Sequence, residues 1–491
     1  MINFNQINTL LNKLLHILLF CTITSMGQNI LSFSNDQYSG INGSTFSPTT
    51  TYFNPNKWDI NLVSEDAFFQ NDYAYISDQN VLGLLKGNVK TANPRKGVTG
   101  ETASNVFDFY KHNHVSYQLD HDIMGPSISF KKMIQNQTFR LGLFTRLRTQ
   151  GSVKKLDNYM RFSNQKILEP SEYYFDPAKT NFMNWNEFGL NISTNVYTTN
   201  TEELVVGANI KYALGLDGAV VKSHQPIKLE ADTIGYSSML HPKANIYASD
   251  FNIEASYATN YDFDRDKYVY KNRGNGAGID LGIAYVKRRL NDELYDFKLS
   301  ANLLDIGMVK FRGENHRFYN PSKSVQLTNN PNLDDNFESI DQYLKLLSTE
   351  VYGDSIASYQ GKNFTIGLPT SLHVNMSKQI RPNHYLSVNW IQRTPIFENS
   401  LKRTNVVQTS YSIQKDGFGV GTSLSLYEYE KITFGGYVRI GPLIIGSDNA
   451  LPFVFKQKKL NSVNFYIGLK IYPFWDNEEK RRSREPCDCE K

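Results

Sequence analysis

The residues best suited to proton transfer are Asp120-His121-Asp122. An imidazole titrating near neutrality beside a carboxylate is the usual equipment of a general base and the group that orients it. The segment leading into the cluster, Val115 to Asp120, alternates apolar and polar residues and reads as a strand. Neighbouring residues of a strand point to opposite faces, so His121 cannot share a face with either aspartate. The acid–base arrangement is therefore not expected to assemble. No His-Glu-x-x-His, Gly-x-Ser-x-Gly or phosphate-binding loop occurs. Gly274-Asn275-Gly276-Ala277-Gly278 leads into a strand and has no helix N-terminus to hold phosphate. No catalytic, cofactor-binding or metal residues are expected, and no cofactor.

A second set of charges has a different logic. In Arg140-Leu141-Gly142-Leu143-Phe144-Thr145-Arg146-Leu147-Arg148, the leucines share one face and three arginines the other. The same alternation runs through Phe251 to Tyr257, Tyr295 to Leu303 and Val463 to Ile471. It recurs in Trp58 to Val63, Phe188 to Tyr197, Leu204 to Tyr212, Ile279 to Val286, Leu372 to Ser377 and Tyr385 to Ile391. Val407 to Gln414, Phe418 to Tyr427 and Ile432 to Ile440 continue it. Such a series predicts an all-β chain, a transmembrane antiparallel β-barrel of about 14–16 strands. A charge facing lipid costs about 2–4 kcal/mol at mid-depth. Arg140, Arg146, Arg148, Glu254, Asp280, Asp296, Lys298 and Arg439 are therefore expected to face the lumen. Both signs are present, which favours internal ion pairs or a polar plug over ion selection. Gly417, Gly419 and Gly421 alternate along one strand, where inward glycines make room for a plug or relieve curvature.

Composition agrees with a barrel. The chain has 491 residues, 30 Tyr and 30 Phe, and a net charge of +4 from 52 basic and 48 acidic residues. Mean hydropathy is negative, as a barrel permits, because only its outward residues must be apolar. The aromatics suit girdles at the two headgroup levels. No basic stripe favours nucleic acid. Residues 1–27 read as a signal peptide, with Lys13, an apolar centre Leu14 to Phe20, and small Ser25 and Gly27 before the cut at Gln28. Lipid attachment at Cys21 is the rival, disfavoured because Phe20 stands where a small residue is wanted. Only Cys487 and Cys489 then remain, so the body does not rely on disulfides. The outer membrane is the expected location and its lipid the expected partner.

Tight turns at Gln135-Asn136-Gln137, Arg381-Pro382-Asn383 and Lys415-Asp416-Gly417 contrast with long connections at about 78–113, 150–183, 214–249, 313–362 and 447–461. Strict up-and-down alternation places the loops at 259–276 and 313–362 on the short-turn side. One more strand, Ala219 to Glu230, would restore parity. Asp334 to Glu350 has helical spacing through Phe337, Ile340, Leu344 and Leu347.

The run Tyr38 to Pro48, followed by Asn54-Pro55-Asn56-Lys57-Trp58-Asp59-Ile60-Asn61-Leu62, resembles the start of an uncharacterised Bacteroidota outer-membrane barrel family. Gly276 to Tyr285, Leu303 to Gly307 and Ile440 to Gly446 extend the resemblance over nearly the whole mature chain. That family is distantly similar to long-chain fatty-acid transporter (FadL-like) barrels and to type IX secretion-associated barrels. The resemblance implies fold and location and supplies no catalytic residues. Some relatives continue into a peptidoglycan-binding domain; here a charged tail, 476–491, follows Trp475. In transporter-like barrels the N-terminal segment tucks inside as a hatch, so residues 28–56 are expected to enter the lumen or close its periplasmic end ahead of a barrel at 57–475; a disordered leader before the first strand is the alternative. Two functions follow: passive passage of a small hydrophobic or amphipathic solute, or a docking barrel whose long loops bind protein partners of a secretion or surface-assembly machine.

Overall fold

The computed structural model describes residues 31–473 except 85–89, 92–105, 111–113, 136, 158–170, 239–240, 263–264, 289–293, 321–322, 328–329, 331–332 and 334–338. The expected signal peptide, the tail with Cys487 and Cys489, and Phe337 lie outside the described residues. Among the described residues, fourteen strand positions close into one antiparallel barrel. In chain order they are β1 (Trp58–Asn71), β2 (His114–Met124 continued by Ser127–Ile134), β3 (Gln137–Asp157), β4 (Lys179–Thr198) and β5 (Glu202–Ser223). Then come β6 (Phe251–Ala258 continued by Gly274–Arg288), β7 (Tyr295–Asn320), β8 (Tyr359–Gly367 continued by Ser371–Arg381) and β9 (His384–Arg393). The ring ends with β10 (Val406–Lys415), β11 (Phe418–Tyr427), β12 (Lys431–Ile440), β13 (Leu443–Ser447) and β14 (Ser462–Ile471). Pairing of β14 with β1, from Ile60 opposite Ile471 to Gln70 opposite Ser462, closes the ring and leaves no free edge.

Burial along each wall strand alternates in the sense opposite to a soluble protein. On β8, Ser371, His373, Asn375 and Ser377 are buried while Met376 and Ile380 are exposed. On β12, Thr433 and Arg439 are buried while Phe434, Val438 and Ile440 are exposed. An apolar exterior around a polar interior is stable only where lipid covers the outside. A strand needs about 9–11 residues to cross a bilayer. Strands β9 to β12 have 10 residues each and β14 also has 10, whereas β3, β4, β5 and β7 have 21, 20, 22 and 26. The wall is therefore tall on one side. Above the tall side, Ser171–Phe175, Ile227–Ser238, His241–Ser249 and Val325–Gln326 form a separate four-stranded sheet.

The parity problem resolves differently from the sequence expectation. Ala219 to Glu230 is not a single strand: it contains the end of β5 and the start of the separate sheet. Phe251–Ala258 and Gly274–Arg288 both pair with β5 and with β7, at successive heights. They fill one position, and 259–273 is an excursion from mid-strand rather than an end loop. The short strand Leu443–Ser447 supplies the position the sequence count lacked. Its five residues are too few to establish a period. The helix in the long loop runs Ile340–Tyr352, capped by the Ser339 hydroxyl accepting from the Gln342 amide at 3.2 Å and ended by Gly353 at φ 77°.

Candidate functional site: the filled lumen

Residues 31–56 form short helical turns inside the ring, and nearly every one is buried. The segment is rich in Ser, Asn and Thr, whose side chains satisfy both their own turns and the polar wall. The Asp448 carboxylate accepts from the Leu31 amide at 2.9 Å and the Ser32 hydroxyl at 3.0 Å. Asn375 donates to Asn35 at 2.8 Å, Ser47 to Asn302 at 2.8 Å, and Thr51 to Asn191 at 2.7 Å. These partners lie on β4, β7, β8 and just past β13, so the segment touches the wall all around. Gly207 and Gly282, paired across β5 and β6, make room for Pro48: a Cβ on Gly207 would lie 2.7 Å from the Pro48 carbonyl carbon, and one on Gly282 would lie 3.1 Å from the Pro48 ring Cδ. A Cβ on Gly419 would lie 2.6 Å from an Asp36 carboxylate oxygen. Two voids beside the segment, near Asp66 and near Asn302, each measure about 20 Å³. That is room for about one water apiece.

The expected lumen charges separate into three groups. Arg146, Arg148 and Asp280 belong to one buried network. Arg146 binds Asp122 and, at 3.3 Å, Glu187; Arg148 binds Glu187 at 2.9 Å and Asp305 at 3.0 Å. Lys211 bridges Asp305 and Asp280, the latter at 2.6 Å. Trp185 donates to Glu187 at 2.8 Å and lies 4.8 Å from the Arg148 guanidinium carbon. Three cations thus meet four carboxylates, all from strands β2 to β7. Asp305 adopts φ 56° at a bulge, where Leu304 and Asp305 face Asp280 alone, and its amide donates to Asp280 at 2.7 Å.

Arg439 and Arg140 meet the N-terminal segment instead. Arg439, 0 % exposed, binds Asp36 at 3.2 Å, and its guanidinium carbon lies 4.6 Å from the Tyr38 ring centre. Arg140 donates to the carbonyls of Asn54 and Lys57, the latter at 3.2 Å. Lys298 is buried and has no carboxylate partner among the described residues. Its ammonium lies 5.6 Å from the Phe53 ring and 5.1 Å from the Tyr295 ring. Lys470 completes this group, binding Asp59 at 2.7 Å and donating to the Tyr38 and Ser39 carbonyls at 2.8 and 2.5 Å.

Glu254 and Asp296 join neither group. Glu254 lies near the long-loop end, 3.1 Å from His224 and 3.9 Å from Arg317, partly exposed. Asp296 sits where the β6–β7 register slips, so the alternation breaks and its carboxylate bonds Lys378 at 2.5 Å on the exposed face of β8. Sequence reasoning missed Glu187, Lys211, Asp305, Asp36 and Lys470. Lys211 and Lys470 stand on buried faces of segments already recognised and Glu187 immediately precedes one, so extending the rule applied to the arginines would have found them. Asp305 lies at a bulge and Asp36 outside any strand, where period-2 reasoning has no purchase. The proton-transfer cluster does not assemble: Asp122 bonds Arg146, Asp120 accepts from Gln118 at 2.7 Å, and His121 lies 3.3 Å from Glu65.

Connections at one end are short, at 135–136, 199–201, 382–383, 416–417 and 441–442. The other end carries the long ones. There the connection 394–405 folds inward. Asn181 donates to the Ser400 carbonyl at 2.6 Å and Gln118 to the Lys402 carbonyl at 3.1 Å, and Leu401 packs with Trp185, Phe311, Phe364 and Leu368. A mouth cavity of about 390 Å³ remains between this loop and the upper parts of β3 and β4. At its edge Lys222 binds Glu398, holding that carboxyl below the usual range.

These features define a transmembrane β-barrel whose lumen is filled from within by its own N-terminal segment. Residues 52–448 match the family of unknown function DUF5723, and the chain belongs to that family. No curated protein matches it. Among solved structures, the toluene transporter TbuX of Ralstonia pickettii is 10 % identical, with a TM-score of 0.35 over 87 % of this chain and 92 % of that one. The transport unit of the autotransporter AIDA-I from Escherichia coli is 10 % identical, with a TM-score of 0.28 over 85 % and 90 %. A Pseudomonas aeruginosa FadL homologue is 9 % identical, with a TM-score of 0.21 over 91 % and 96 %.

Proposed function

We propose that the protein is an outer-membrane channel for passive passage of small hydrophobic or amphipathic solutes, with residues 28–56 as the hatch that keeps it closed. The observation that carries this reading is how the interior is filled. A segment outside the strand ladder occupies the ring, held by side-chain hydrogen bonds, by Asp36–Arg439 and by contact at Gly207. A segment so held can move without breaking the wall, since the backbone bonds of the wall close on themselves. The apolar exterior and the expected export signal support placement in the outer membrane, with the long loops facing outward. Removal of residues 28–56 from the mature chain should raise single-channel conductance in planar bilayers by about tenfold or more. Conductance equal to that of the intact chain would defeat the hatch reading.

A second reading is a docking barrel for a secretion or surface-assembly machine, which the sequence resemblance favours. The separate four-stranded sheet and the helix Ile340–Tyr352 offer protein-sized relief at the long-loop end. Crosslinking in whole cells that captures a partner on this relief, together with a chain that stays closed after hatch removal, would favour docking over passage.

A further inference from the structure

The helix Ile340–Tyr352 packs on the upper part of β7 through Leu344 and Val351, which share an apolar cluster with Phe318 and Phe251. Beside that cluster the contact is polar. Asp341 stands in the first turn of the helix and faces Glu314 and His316 of β7. One carboxylate oxygen from each acid and one imidazole nitrogen all lie within 4.8 Å of one another. Glu314 and His316 are two apart on a strand and so share a face.

The imidazole is the informative group. His316 is 2 % exposed, stacked on Phe318 at 6.2 Å between ring centres and edge-on to Tyr359 at 5.7 Å. Its Nδ1 lies 3.0 Å from the hydroxyl of Ser358, whose backbone N–H donates to the Ser348 hydroxyl at 3.1 Å. Its Nε2 is buried and has no hydrogen-bond partner. A polar atom in that condition is uncommon and calls for a partner. The arrangement is that of a metal-binding histidine: one nitrogen held by an outer hydrogen bond that fixes ring orientation, the other left for the ion. Asp341 accepts from the Lys345 ammonium through Oδ2 at 2.6 Å, which leaves Oδ1 available.

The geometry points to Glu314, His316 and Asp341 as a binding site for a divalent zinc-like ion, which ties the helix to the barrel wall. One imidazole and two carboxylates match the mixed nitrogen and oxygen donors that zinc accepts, with water in the fourth position. Calcium would want six or more oxygens, and magnesium resists an imidazole. The two carboxylates cancel the charge of the ion, and neutral His316 adds a donor without adding charge. The ion would bridge residues 25 or more positions apart in sequence, across the long connection after β7. Its effect would be local: the wall ladder does not depend on it.

The test uses the mature chain in detergent, with Cys487→Ser and Cys489→Ser so that the tail thiols cannot bind metal. Zinc is titrated against a chromogenic chelator. One zinc per chain is expected, with affinity lowered about tenfold or more in Glu314→Gln and in Asp341→Asn. Zinc should also slow tryptic cleavage within 321–358 in the parent and fail to do so in Asp341→Asn. Both acids are partly exposed, so their amides are not expected to disturb folding, and heat-modifiable gel migration checks that the barrel is intact. His316→Gln should behave like the acid variants; if it fails to fold, the two amides decide alone. Absence of zinc binding, equal affinity in the variants, or protection by calcium but not by zinc would overturn the assignment.

Discussion

Two charged regions of the interior are built to different ends. On the tall side, Arg146, Arg148, Lys211, Asp122, Glu187, Asp280 and Asp305 all belong to strands or to the bulge of β7. On the low side, Arg439 reaches Asp36, and Lys470, paired with Asp59 of β1, donates to the Tyr38 and Ser39 carbonyls of the N-terminal segment, while Asp59 in turn accepts from the Ile41 amide. The first region joins wall to wall, while the second joins wall to segment. Loss of a charge from the first should weaken the ring without opening it. Loss from the second should release the segment without weakening the ring as much. Burial is nearly complete in both, so the difference lies in what the partners are attached to, not in the strength of the pairs.

The largest expected effect tests the first half of that contrast. Glu187→Ala takes one of two carboxylate partners from each of two buried guanidiniums and removes the acceptor for Trp185. Breaking a buried pair typically costs about 3–5 kcal/mol. The urea midpoint of the barrel in detergent should fall accordingly, while bilayer conductance stays at the intact level. Arg439→Ala should do the reverse. Asp36 loses its guanidinium, Tyr38 loses its cation, and opening events should become frequent in planar bilayers with a smaller fall in the urea midpoint. If both variants destabilise equally and neither conducts, the distinction between the two regions fails.

How legible this was follows from where each residue sits. Arg146 and Arg148 were readable because a charge on the face opposite Leu141, Leu143 and Leu147 has one place to go in a membrane strand. Lys211 and Glu187 obey the same rule. Asp305 does not, because a bulge moves it off the alternation, and Asp296 is displaced at a register slip of the same strand pair. The upper parts of β3, β4, β5 and β7 fall within the connections expected at 150–183, 214–249 and 313–362. Their outward residues no longer face acyl chains there, so the period-2 signal fades although the ladder continues. The excursion at 259–273 looked like an end loop because sequence pattern gives strand direction only by counting, and one position split in two shifts the count.

A smaller effect comes from the notch that receives Pro48. Gly207→Val places branched carbons against the Pro48–Thr49 backbone, where a Cβ alone already lies 2.7–2.8 Å from three backbone atoms. Overpacking of this kind costs about 1–3 kcal/mol when neither side can move. Here one side can, since the segment is not part of the ladder. Raised conductance with a nearly unchanged urea midpoint is therefore expected. A strongly lowered midpoint with no conductance would mean that the segment is as rigid as the wall.

The smallest effect is expected at the upper closure, where Lys222 binds Glu398 at the edge of the mouth cavity. The carboxyl is held below its usual range by that hydrogen bond. A group with a depressed folded pKa stabilises the folded form above its unfolded value, about 4.3 for Glu, and loses that contribution as pH falls through the folded value. Proteolytic resistance of the loop 394–405 should thus be level from about pH 8 to about pH 5 and decline only below about pH 4. Glu398→Gln should remove the decline while leaving the neutral-pH resistance nearly unchanged, because an exposed pair contributes little. The loop is held mainly by Leu401 in its apolar cluster and by the Asn181–Ser400 and Gln118–Lys402 bonds, none of which titrates. The upper closure therefore differs from the lower one in depending on packing rather than charge. Leu401→Ser should loosen it at every pH.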